Sequence, residues 1–207
     1  MAPARRDTAA RSTAALIAVA ALGAMVPPVA NGLARGEGLV EMIWILLWFF
    51  TILTNLAVGM VWAWLALRGR EAVSPLVQGG AMLAIMLVGL VYNLVLEPMP
   101  QPNWWSALGD DVHHFWVPLA VPLWWLAFTP HRTLNWRAAL IWALYPLAYC
   151  AYAVTRAAVE GIAVPYFFMD TAALGWPAAL QNMAMIAAGF VAAGLIAVAL
   201  DRRLPAG

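Results

Sequence analysis

The sequence predicts an all-α, polytopic integral membrane protein with six transmembrane helices and both termini in the cytoplasm. Three observations carry this expectation. Of 207 residues, 65% are hydrophobic and 10% charged, whereas soluble domains carry about 25% charged residues. Six windows are each apolar over close to the roughly 20 residues that cross a hydrocarbon layer. The arginines, finally, fall overwhelmingly on one side of those windows.

The windows place helices near 13–33, 42–66, 76–96, 112–129, 138–155 and 177–200. Residues 1–12 are then a cytoplasmic N-terminal tail, 13–200 a six-helix domain and 201–207 a cytoplasmic C-terminal tail. The windows are continuously apolar and Ala/Leu-rich, without the alternation of lipid-facing and lumen-facing residues that a β-barrel requires. Arg5, Arg6, Arg11, Arg68, Arg70, Arg132, Arg137, Arg202 and Arg203 lie in the N-terminus, the even-numbered loops and the C-terminus, and only Arg35 and Arg156 lie opposite. That places both termini inside by the positive-inside rule. Acidic residues lean the other way, with Glu37, Glu41, Glu97, Asp110, Asp111, Glu160 and Asp170 outside.

The first window has a second reading. Arg5 and Arg6 precede an apolar run that ends near the small-x-small site Gly32-Leu33-Ala34, the pattern of a signal peptide. Cleavage there would leave five helices with the remaining loops on the same sides. The lone Cys150 falls mid-helix and reads as a small buried hydrophobe. The outer loops are the unusual connections. Residues 97–111 are proline-rich and then aromatic, and 156–176 are mostly apolar, so the latter should lie at the headgroups or cap the bundle.

Polar residues inside a bilayer need partners, and here they collect toward the outer side. The second helix carries Thr51, Thr54 and Asn55, and the third carries Tyr92 and Asn93 near its outer end. The fourth enters through Asp110, Asp111, His113 and His114. The fifth rises through Tyr145, Tyr149 and Tyr152 to Arg156, and the sixth starts with Gln181 and Asn182. Thr51 and Asn55 share a helix face at i, i+4, as do the three tyrosines at i, i+4, i+7. The bias predicts a polar cavity in the outer half of the bundle, against the plainer alternative of interhelical hydrogen bonds worth about 0.6 kcal/mol each.

Serine catalysis has little to work with, since Ser12, Ser74 and Ser106 lie outside the apolar cores and no G-x-S-x-G elbow occurs. Adjacent His113 and His114 point to different helix faces and His131 lies at the other side, so neither a metal site nor a haem is expected. What remains is a threonine with a histidine, because an imidazole can take the proton of a hydroxyl. Thr51 or Thr54 is the candidate nucleophile and His114 or His113 the candidate base. Asp110 and Asp111, four and three residues before His114, could orient the imidazole or simply cap a helix start. Counting about 1.5 Å per residue along straight helices puts Thr51 about 12 Å and His114 about 7 Å below the membrane surface.

Several segments resemble those of bacterial six-pass membrane proteins related to the androgen-induced and androgen-dependent membrane hydrolases of animals. These are Phe49-Phe50-Thr51-Ile52-Leu53-Thr54-Asn55-Leu56, His114-Phe115-Trp116-Val117-Pro118 with its continuation to Phe128, Tyr145-Pro146-Leu147-Ala148-Tyr149, and Pro165-Tyr166-Phe167-Phe168-Met169-Asp170. The animal members are threonine hydrolases of esters between fatty acids and hydroxy fatty acids. The resemblance implies a nucleophile at Thr51 and a base at His114, with His114 turned into the bundle and His113 toward the interface because Pro118 lies one turn beyond His114, although the animal spacing of histidine to proline would select His113. The type of the second polar position after the threonine also differs. The expected activity is hydrolysis of a lipid ester in the outer half of a bacterial-type plasma membrane, with Asn55 or backbone N–H groups as oxyanion donors and no cofactor. The rival expectation is a non-catalytic protein that binds a lipid or other hydrophobe, or a membrane partner subunit. Membrane lipid is the expected partner, and nucleic acid is not.

Overall fold

A computed structural model describes residues 3–96 and 100–206; Glu97, assigned above to the outer side, lies outside them. Among these residues every regular element is helical. Five helical spans are long and apolar enough to cross a membrane: Ala4–Ala34, Phe50–Arg68, Pro75–Leu94, Arg137–Glu160 and Trp176–Arg203. Large apolar side chains such as Leu16, Val19, Leu119, Leu123, Leu140 and Leu144 stand exposed along the helices. An outer surface of that kind suits hydrocarbon rather than water. The chain divides into two compact units, one reaching to Thr133 and the other covering Leu134–Leu204.

In the first unit, α1 (Pro3–Gly23), α4 (Phe50–Arg68), α5 (Pro75–Leu94) and α7 (Val117–Phe128) close a four-helix ring in which each helix packs on the next. The contact of α1 with α4 is the most extensive. Its cause is a strip of small residues: Ala10, Ala14, Ala18 and Ala21 are buried along one face of α1. On the α4 side, a Cβ at Gly59 would come within 2.5 Å of Leu22. Small residues let backbones approach where no hydrophobic force drives helices together.

Three of the expected helices are interrupted. The first begins at Pro3 rather than residue 13 and breaks before α2 (Val26–Ala34). Pro27 and Pro28 at the start of α2 bring no N–H to the preceding turn. The second is two helices, α3 (Leu39–Leu46) and α4, separated by Leu47–Phe49 with Phe49 in extended backbone. The fourth runs as α6 (Trp104–Asp111), a π turn (Val112–Trp116) and α7. Pro118 and Pro122 withhold two N–H groups from that stretch, and Val117 N–H reaches back five residues to Val112.

The end of this unit opposite those breaks is held by arginines. Arg11 donates to the carbonyls of Ala66 and Leu67 at the end of α4, at 2.9 Å each. Arg6 donates to Ala127 at 3.0 Å and Arg70 to Phe128 at 3.2 Å at the end of α7. Last-turn carbonyls lack intrahelical donors and carry the negative end of the helix dipole, so cations belong there. Residues 5–12 are helical and form the first turns of α1.

The second unit is a hairpin of α8 (Arg137–Glu160) and α10 (Trp176–Arg203). Leu134 N–H donates to Asp201 at 3.0 Å, which brings the start of one helix to the end of the other and makes them antiparallel. Gly194 lets α10 approach Ala139 and Trp142. Gly161, at φ +68, closes α8 in the left-handed conformation that glycine tolerates. The apolar connection folds onto the hairpin: Met169 is fully buried, Asn182 donates to Phe168 at 2.9 Å, and Asp170 caps the short α9 (Thr171–Leu174).

Candidate functional site

The site lies where the helix breaks gather, at the start of α4, the end of α5 and the π turn. Because α4 starts at Phe50, Thr51 sits in its first turn and not in mid-helix. Its Oγ1 lies 3.3 Å from Nε2 of His114. On the other side of that ring, Nδ1 lies 3.0 Å from the Asp110 Oδ1 and 3.0 Å from the Asp110 carbonyl oxygen. Both neighbours of Nδ1 can only accept, so Nδ1 carries the hydrogen. In the neutral ring Nε2 is then the bare acceptor, and the Thr51 hydroxyl donates to it. Hydroxyl, imidazole and carboxylate thus stand in a line along which a proton can leave the oxygen.

Two residues of α5 hold this line. The Tyr92 phenol donates to Asp110 Oδ2, and its ring lies flat on the His114 imidazole, with centroids 3.7 Å apart and planes 9° from parallel. Asn93 donates to the His114 carbonyl at 3.0 Å and to Gly89 at 2.8 Å. Pro118, four residues after His114, offers that carbonyl no N–H. Close approach of α5 is permitted by Gly89, where a Cβ would meet Pro118 at 2.8 Å. Asp110 precedes the apolar stretch of the fourth helix. Partial burial pushes its carboxyl up, but the hydrogen bonds with His114 and Tyr92 outweigh this and hold it below its ordinary value.

His113 turns elsewhere. It is 4% exposed, and its Nε2 lies 3.0 Å from the carbonyl oxygen of Ala21, so here Nε2 carries the hydrogen. The expectation that His113 faces the interface is corrected. At the α1–α2 break Met25 N–H bonds Leu22, which leaves the Ala21 carbonyl without its usual helical donor, and a buried carbonyl requires one. Thr54 and Asn55 are buried one turn below Thr51. The Asn55 amide donates to the Thr51 carbonyl at 2.9 Å and to the His113 carbonyl at 3.5 Å, so both of its hydrogens face backbone carbonyls. Asp111 is exposed. Tyr149 belongs to the second unit, where its ring packs with Tyr152 and Tyr166.

Sequence reasoning singled out Thr51, His114 and Asp110, and the structure brings these together. It placed Tyr92 and Asn93 in the polar cluster but gave them no role; their position at the end of the third apolar window was the available signal. Among the described residues no three His, Cys, Asp or Glu side chains are grouped to hold a metal ion. Compared with family models, with curated proteins and with solved structures, the chain finds no match.

Proposed function

We propose that this chain is a membrane-embedded hydrolase of fatty-acyl esters. The observation that carries the reading is the Thr51–His114–Asp110 line, 3.3 Å and 3.0 Å between successive side chains. In the proposed reaction His114 Nε2 takes the Thr51 proton as Oγ1 bonds the ester carbonyl carbon. The ester C–O bond then breaks, and the proton passes from Nε2 to the departing alkoxide. Water, deprotonated by the same imidazole, cleaves the acyl-threonine and restores the hydroxyl. The N–H of Ile52 and of Leu53 both bond Phe49, so the Thr51 N–H is the nearby first-turn group left to face the developing oxyanion. Order and spacing of the segments shared in kind with the six-pass hydrolases support the same roles.

The proposal includes the setting. The stretch 112–129 makes a sixth crossing in addition to the five long helices, both termini face the cytoplasm of a bacterial-type cell, and the site opens toward the outer leaflet of the plasma membrane. A lipid ester would reach it laterally. Purified protein should label with an acyl-mimicking fluorophosphonate. Thr51→Ala should abolish labelling, and His114→Ala should slow it about 10²–10⁴-fold, the usual worth of a general base. A well-folded wild type that neither labels nor hydrolyses acyl esters in detergent or bilayer sinks the enzyme, leaving a lipid-binding protein whose polar residues only join helices.

A further inference from the structure

We infer that Tyr92 is the positioning residue of this site, fixing His114 and Asp110 together from a separate helix. The inference rests on the hydrolase reading and adds to it the group that sets the geometry of the base. An imidazole must present Nε2 to the hydroxyl, yet its ring turns easily about the Cβ–Cγ bond. The Nδ1–Asp110 contact constrains that rotation only as well as the carboxylate is itself held. Asp110 has two oxygens: Oδ1 meets His114, and Oδ2 receives the Tyr92 hydroxyl. With both oxygens engaged by different helices, the carboxylate cannot turn without losing a charge-assisted hydrogen bond.

The ring of Tyr92 acts on the other partner. Stacked at 3.7 Å and 9° on the imidazole, it stands in the path of any rotation that would swing Nε2 away from Thr51. One side chain therefore restrains both ends of the Nδ1–carboxylate contact. Asn93, the next residue, holds the backbone of His114 through its carbonyl, so the last turn of α5 grips the histidine by ring and main chain. Tyr92 does not approach the Thr51 oxygen through any hydrogen bond of its own, and its effect passes through Asp110 and His114. The titratable groups around the imidazole are Asp110, Asp111 and His113 on its own helix and Tyr92 on α5, while α4 brings the Thr51 hydroxyl.

The test compares fluorophosphonate labelling rates of the full chain in lipid nanodiscs for wild type, Tyr92→Phe, Tyr92→Leu, Asp110→Ala and the Tyr92→Phe/Asp110→Ala double variant. Tyr92→Phe keeps the stacked ring and removes the donor. It should slow labelling about tenfold, in line with loss of one hydrogen bond to a charged group. Tyr92→Leu loses ring and donor and should be slower still. In the Asp110→Ala background, Tyr92→Phe should cost nothing further, since its route is gone. A Tyr92→Phe protein with wild-type rate overturns the inference while leaving the hydrolase intact, as does a full additional loss in the double variant. A wild type that never labels overturns both. Thermal unfolding of each variant separates slow labelling from misfolding.

Discussion

Two adjacent histidines at this site have opposite jobs, and their hydrogen bonds say why. His114 keeps its hydrogen on Nδ1 because a carboxylate and a carbonyl both stand there, which turns a bare Nε2 to Thr51. His113 keeps its hydrogen on Nε2 because the Ala21 carbonyl stands there. The first tautomer can accept a proton from a hydroxyl, whereas the second fills a gap in helix α1. Replacing His113 by Leu should accordingly leave the labelling of Thr51 in place and destabilise the fold by about 1–3 kcal/mol, the cost of a buried carbonyl left without a donor. Thermal unfolding and labelling measured on the same preparation check this. Lost labelling in a folded His113→Leu protein would move the base from His114 to His113.

At the scale of elements, the site is made of helix ends. The break at Leu47–Phe49 turns Thr51 into a first-turn residue, the π turn widens the helix at the two histidines, and α5 ends just after Tyr92 and Asn93. π turns inside helices recur at functional positions because they re-aim side chains that an unbroken ladder would point elsewhere. What lets these ends meet is Gly89, whose missing side chain admits the Pro118 ring. A methyl group there would lie 2.8 Å from Pro118 Cβ, too close for a rigid ring to absorb. Gly89→Ala should push the π turn off α5, destabilising the unit by about 1–3 kcal/mol as overpacking does. It should also loosen the hold of Tyr92 and Asn93, seen as slower Thr51 labelling at temperatures where the variant is folded. Unchanged stability and rate would show that the close approach is not needed.

For the whole molecule, the arginines do two things. Along the sequence they fall on one side of the apolar windows, nine against two. In the first unit, Arg6, Arg11 and Arg70 also bind the last carbonyls of α4 and α7. A reporter fused after Arg70, Arg137 or Arg203 should read as cytoplasmic, and one inserted after Gln101 or in the 161–165 connection as external. An external reading at the C-terminus would overturn the six-pass arrangement proposed here.

Helical class, the length of the apolar runs and the gathering of polar residues toward one end were legible in the sequence, because composition and spacing act over a few turns of chain. That His114 could pair with Asp110 or Asp111 was legible for the same reason, as a contact between neighbours on one helix, while the choice of Asp110 was not. Whether Thr51 meets His114 was left open. Counting along straight helices set them about 5 Å apart in depth, which permits a contact without requiring one, and Thr51 Oγ1 and His114 Nε2 stand 3.3 Å apart. The break between α3 and α4 was not legible either, because Leu47, Trp48 and Phe49 contain neither the glycine nor the proline that marks a break locally. Nor could the sequence say that His113 would find the carbonyl left at Ala21, or that Tyr92 would lie on His114. Each of these joins residues on different helices, and only the packing of backbones against one another, through Gly59, Gly89 and the alanines of α1, decides which side chains come within reach.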